Sequence, residues 1–107
     1  HASPEHTREP WKELLARAEA GDAEAQYNAG GRLLGGKFGA PLDLEAAERW
    51  FDRAADAGHA MGTLLAGMCK GAFAMGRPPD AQEFWRLVLR AAELGVAEGA
   101  EWLRVAY

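Results

Sequence analysis

The stretch AEAQYNAGGRLLGGKFGAP, Ala23 to Pro41, decides how this chain is read. It holds helix formers and apolar residues at helical spacing, yet Gly30, Gly31, Gly35 and Gly36 fall within a few turns. Each interior glycine costs a helix roughly 1 kcal/mol relative to alanine. A chain that keeps such residues gains something from the absent side chains. Working outward, RAADAGHA (Arg53–Ala60) nearly matches RAAELGVA (Arg90–Ala97), and Gly21, Gly58 and Gly95 are spaced 37 residues apart. The same offset pairs Ala29-Gly30 with Ala66-Gly67, Gly39 with Gly76, Pro41 with Pro78, Asp43 with Asp80 and Arg49 with Arg86, without a gap. A register held this long marks an internal repeat.

Each period predicts two helices. The first, A, opens at Asp22 or His59 and runs about 13 residues. A loop rich in glycine and proline follows, GGKFGAPL in one copy and AMGRPP in the other. Asp43 and Asp80 are suitable N-caps for the second helix, B, and Glu83 stands where a capping box places an acid. Leu44, Ala47, Trp50, Phe51 and Ala54 share a B-helix face, as do Phe84, Leu87, Val88 and Ala91 in the second copy. Gly58 and Gly95 stop the B helices as left-handed caps. Gly30 and Gly67 occupy one position in both A helices, where a missing side chain lets the neighbouring B helix approach.

The ends read as half-repeats. WKELLARAEAG, from Trp11 to Gly21, ends as a B helix does, and VAEGAEWLRVAY forms a third A helix, giving the order B, A, B, A, B, A. Residues 1–9 are expected to be a loose tail, with residues 1–3 a possible tag or cloning remnant. The domain then spans 10–107, with repeats at about 21–57 and 58–94 and a partial one at 95–107. The predicted fold is all-α, a short right-handed α-α superhelix of about two and a half two-helix repeats. Abundant alanine with little valine, isoleucine or threonine agrees with closely spaced helices.

Small-x-x-small-x-x-Leu-Gly-x-x-Tyr, a glycine-rich loop, Asp-x-x-x-Ala-x-x-Trp and then Lys/Arg-Ala-Ala-x-x-Gly is the pattern of Sel-one-like repeats. The first copy shows Ala23, Gln26, Ala29-Gly30, Leu33, Asp43, Ala47, Trp50, Arg53-Ala54-Ala55 and Gly58. The second shows Ala60, Thr63, Ala66-Gly67, Lys70, Asp80, Phe84, Leu87, Arg90-Ala91-Ala92 and Gly95. The chain therefore resembles that family, a relative of tetratricopeptide repeats, from about Leu14 to Tyr107. It departs from the pattern at Leu33 and Lys70, where an aromatic is expected, and at Leu87, which replaces tryptophan. Cys69 lacks the partner with which some bacterial members bridge a repeat.

The resemblance implies a non-enzymatic, adaptor-type protein-interaction module that binds a peptide or partner protein through the concave face of its A helices. By analogy with tetratricopeptide repeats, that face carries Glu24, Tyr27, Gly31 and Leu34, then Met61, Leu64, Met68 and Gly71, and finally Glu98, Glu101 and Val105. Tyr27, Met61, Leu64 and Met68 would make an adaptable apolar strip, and the glutamates an acidic rim preferring basic ligands. The competing account has the same side chains covered by the chain's own loops or by superhelical packing. A second functional class is a small inhibitor or immunity-type protein that neutralises a toxin or enzyme by occlusion.

The remaining chemistry is sparse. A net charge of −4 argues against a nucleic-acid backbone or an anionic membrane surface as partner. No apolar run approaches the roughly 20 residues of a membrane span. No cofactor or metal is implied: His1, His6 and Glu5 lie in the tail, and Cys69 beside Met68 and Met61 reads as a core thiol. GGKFG lacks the spacing and preceding strand of a phosphate loop, and His59 reads as a helix-boundary residue rather than a base. Trp102, Leu103 and Tyr107 have no following repeat to cover them, which suggests a weak homodimer through the C-terminal helix. Compartment, cytoplasmic or exported, is not readable.

Overall fold

Three aspartates and a histidine set where helices begin in the computed structural model, which describes residues 9–73 and 75–96. Among these, the helices are α1 (Trp11–Glu19), α2 (Ala23–Gly35), α3 (Leu44–Asp56), α4 (Ala60–Gly71) and α5 (Ala81–Glu93). Asp22, Asp43 and Asp80 each accept the backbone N–H three residues on, at 3.1, 3.0 and 3.1 Å. His59 does the same through Nδ1, accepting from the Gly62 N–H at 2.9 Å. Each bond satisfies one of the donors a helix start leaves unpaired.

The 37-residue offset of the sequence reappears in the backbone hydrogen bonds. The N–H of Asp22, His59 and Val96 donates to the carbonyls of Arg17, Ala54 and Ala91 at 3.1, 3.0 and 3.0 Å. These bonds wrap around Gly21, Gly58 and Gly95, whose φ values are 107°, 82° and 98°, the left-handed geometry that ends a helix. Asp43 N–H donates to the Leu33 carbonyl and Asp80 N–H to the Lys70 carbonyl, again one period apart. That second bond corrects the expected capping box. The Asp80 N–H that Glu83 would have satisfied is already taken by Lys70, and the Glu83 carboxylate pairs with Arg86 instead.

Each helix packs chiefly on its chain neighbours, α1 on α2, α2 on α3, α3 on α4 and α4 on α5. This is the contact order of a solenoid. The core runs along the array as three linked clusters. Leu14, Ala18, Ala25 and Ala29 join α1 to α2. Leu33, Ala47, Phe51, Ala66, Cys69 and Leu87 fill the middle. Leu64, Phe84, Val88, Ala91 and Val96 close the far side.

The A-helix glycines sit where this packing is closest. A Cβ on Gly30 would lie 2.7 Å from the Phe51 ring, and one on Gly67 would lie 3.0 Å from Leu87 Cβ. Lys70, at the position Leu33 fills in the first repeat, does not enter the core. Its ammonium reaches α3, donating to Glu48 at 2.6 Å and to Asp52 at 2.9 Å. Arg77 from the following loop donates to the same Glu48, at 2.8 and 2.6 Å. The half-repeat expected at 95–107, with Glu98, Glu101, Trp102, Leu103, Val105 and Tyr107, lies outside the described residues beyond Val96. So does most of the tail, residues 1–8.

Candidate binding face

Helix α2 presents two kinds of surface. Ala25, Gln26, Ala29, Gly30 and Leu33 turn inward and are buried. Glu24, Tyr27, Asn28, Gly31, Arg32 and Leu34 remain exposed or half-buried. The inward side is fixed by helical spacing, so the other side is left to face solvent.

At the start of this face, His59 joins the two A helices. Its Nδ1 accepts from Gly62, so the ring proton sits on Nε2, which lies 2.5 Å from Glu24 Oε2 and donates to it. The Tyr27 ring stacks on His59 with centroids 4.9 Å apart, and its centroid lies 6.2 Å from that of Phe51. Glu24 and Tyr27, expected in a groove, thus also hold α2 against the start of α4.

Leu34, Met61 and Met68 are half-buried and keep some surface. Leu64 does not: it is 3% exposed and packs in the cluster with Phe84 and Val88. The repeat position that Tyr27 leaves partly open is closed in the second copy, so Leu64 drops out of the candidate strip. Gly71, also expected on the face, is held against α5, where a Cβ would meet Phe84 at 2.7 Å.

The face carries an open pocket of about 450 Å³ that spacing alone did not reveal. Leu14 and Phe51 form its floor, with Tyr27, Leu34 and Leu65 as apolar wall. Asn28, Gly31 and Arg32 line it from α2, and Lys37 and Phe38 from the loop that follows. Gly36 takes φ 62° to end α2, and the chain then turns back so that Ala40 N–H donates to the Lys37 carbonyl at 3.1 Å. Phe38 adopts φ 54°, a left-handed conformation unusual for an aromatic residue, and stays 44% exposed. Arg32 Nη1 donates to the Phe38 carbonyl at 3.3 Å, and the guanidinium carbon sits 5.8 Å from the centre of the Phe38 ring. The signal for this pocket in the sequence was GGKFG, whose Lys37 and Phe38 were weighed there only as part of a phosphate loop.

Cys69 is 1% exposed, and burial pushes its thiol up to about 12, so it is protonated at neutral pH. Among the described residues no three His, Cys, Asp or Glu side chains gather as a metal site, and no helix is long and apolar enough to cross a membrane.

No protein-family model matches the chain, and no curated protein matches it. Among solved structures, the crystal structure of a Sel1 repeat protein from Oxalobacter formigenes is similar to it. The two share 33% sequence identity and a TM-score of 0.78 over 88% of this chain. The chain spans 27% of the length of that protein.

Proposed function

From a Sel1-like repeat fold, we propose that this chain is a non-enzymatic protein-interaction module that holds a peptide or partner protein on its A-helix face. The observation that carries this reading is the open pocket of about 450 Å³ beside α2. Its size lies within the roughly 300–1,000 Å³ typical of binding pockets. The half-buried Tyr27, Leu34, Met61 and Met68 extend apolar surface along the same face. Methionine repacks readily, which suits a surface that accepts a ligand by adjustment. Glu98 and Glu101 stay part of the proposed rim.

The test uses the tagged full chain to retain a partner from a lysate of its source cells, with identification by mass spectrometry. Calorimetry on the purified pair then compares the parent with the double variant Leu34→Ser, Met61→Ser. Lost binding in a variant that keeps its helical circular dichroism supports the A-helix face. Parental affinity in that variant overturns it.

A further inference from the structure

The pocket beside Gly31 has a chemistry that the module reading leaves open. Gly31 is exposed, and among the described residues a Cβ there would meet nothing within 4 Å, so their packing does not require a glycine. Nor does the repeat, because the residue 37 positions on is Met68. A glycine in a helix interior with open space beside it is locally disfavoured. Where that space is a pocket, its effect is to let an occupant reach the helix backbone.

The polar side of the pocket is cationic. Arg32 and Lys37 both line it, and neither pairs with a carboxylate among the described residues. Among the described residues the lining holds one acid, Glu9, and its carboxylate is engaged by Arg17. The repeat does not demand the guanidinium either, since Cys69 stands at the position equivalent to Arg32. Phe38, at the rim, is held in a left-handed conformation while nearly half exposed, and such strain persists where surrounding structure imposes it.

Resting on the module reading, we propose that this pocket binds an acidic peptide segment of the partner. A large apolar side chain of that segment seats over Gly31 between Leu34 and Leu65. A neighbouring carboxylate is held by Arg32 and Lys37 through charge-assisted hydrogen bonds. The net charge of −4 limits the match to a carboxylate or two flanking an apolar anchor, because a long acidic tract is repelled by the rest of the surface.

Capped peptides Gly-Asp-Trp-Asp-Gly, Gly-Asn-Trp-Asn-Gly and Gly-Lys-Trp-Lys-Gly are titrated into the isotope-labelled full chain and followed by amide chemical shifts. The acidic peptide is expected to move the amides between Asn28 and Phe38 saturably. The neutral peptide should bind at least about tenfold more weakly, the loss of a charge-assisted bond, and the basic one more weakly still. Gly31→Met, which installs the second repeat's residue, should abolish saturation without lowering the melting temperature. Arg32→Gln with Lys37→Gln should erase the acidic preference while neutral-peptide binding persists.

Any one of three results from these titrations overturns the proposal: no saturable shift with the acidic peptide at millimolar concentration, equal affinity for all three peptides, or saturation undiminished by Gly31→Met. If Gly31→Met fails to fold, the Arg32→Gln, Lys37→Gln variant decides through the charge preference alone. The module reading fails separately, when a captured partner ignores the Leu34→Ser, Met61→Ser change. A partner that is lost there but tolerates both Gly31→Met and the charge-neutralised variant sinks this proposal and leaves the module standing.

Discussion

Gly30 and Gly31 are adjacent in one helix, yet alanine at each should move stability in opposite directions. A Cβ on Gly30 would lie 2.7, 2.8 and 3.0 Å from three atoms of the Phe51 ring. Carbon atoms in ordinary contact sit at about 3.5–4.0 Å, so the ring would have to retreat by roughly 1 Å. Phe51 is 0% exposed, and it shares the central cluster with Ala47, Leu33 and Leu87, so a shift of the ring disturbs that packing. Overpacking of this kind costs about 1–3 kcal/mol, against a helix-propensity gain of about 1 kcal/mol. Gly30→Ala should therefore lose about 1 kcal/mol. Gly31→Ala meets nothing within 4 Å and should gain about 0.5–1 kcal/mol from propensity and reduced unfolded-state entropy. The two variants should differ in melting temperature by roughly 10 °C for a domain of this size. Thermal unfolding by circular dichroism, with urea titration for the free energy, measures both. In a Phe51→Leu background the Gly30→Ala penalty should shrink, which isolates the contact as a coupling energy. If Gly30→Ala melts at or above the parent, or the two alanines shift stability alike, the close-approach account of Gly30 is wrong.

Asp43→Ala and Asp80→Ala each remove a side-chain cap and should cost about 1 kcal/mol in urea unfolding, with asparagine at either site restoring most of it. His59→Ala should cost a similar amount and also loosen α2 from α4, because the same ring caps Gly62 and holds Glu24. The hydrogen bond from Arg77 holds the Glu48 carboxyl below the usual carboxylate range. A lowered folded-state pKa contributes stability that is present above that range and lost as pH falls through the folded value. Glu48→Gln should therefore flatten the decline in melting temperature on acidification, which a melting series from neutral to strongly acidic pH would read directly. Cys69 should resist a thiol-labelling reagent at mildly alkaline pH and react only at the rate of unfolding, so prompt labelling of the native protein would contradict its burial.

The architecture was legible because it repeats. Gly21, Gly58 and Gly95 at one interval fixed three helix ends before any contact was known, and the backbone bonds around them follow that interval. Asp22, Asp43 and Asp80 fixed the starts, because a short acidic side chain before an apolar-periodic run has one strong local use. The Glu83 capping box failed for a reason local sequence does not hold: the N–H it would have satisfied is reached by Lys70, a turn and a loop away in the chain.

Leu64 shows why site prediction is weaker than fold prediction here. It matches Tyr27 in register, but α5 lies over it, with Phe84 and Val88 closing the position, whereas Tyr27 keeps an open edge. Register tells which residues share a helix face; it does not tell how far the next element covers that face. The pocket follows the same logic in reverse. Positions that agree between the two repeats, such as Gly30 with Gly67 and Asp43 with Asp80, hold helices together or start them. Positions that line the pocket disagree: Asn28 against Leu65, Gly31 against Met68, Arg32 against Cys69. Agreement between copies marks a packing problem that both solve alike, as at Gly30 and Gly67, while Lys70 in place of Leu33 shows that the scaffold also accepts a different solution. The first doublet glycine thus answers to Phe51, and the second meets no described residue, so its reason is to be sought in what occupies the space beside it.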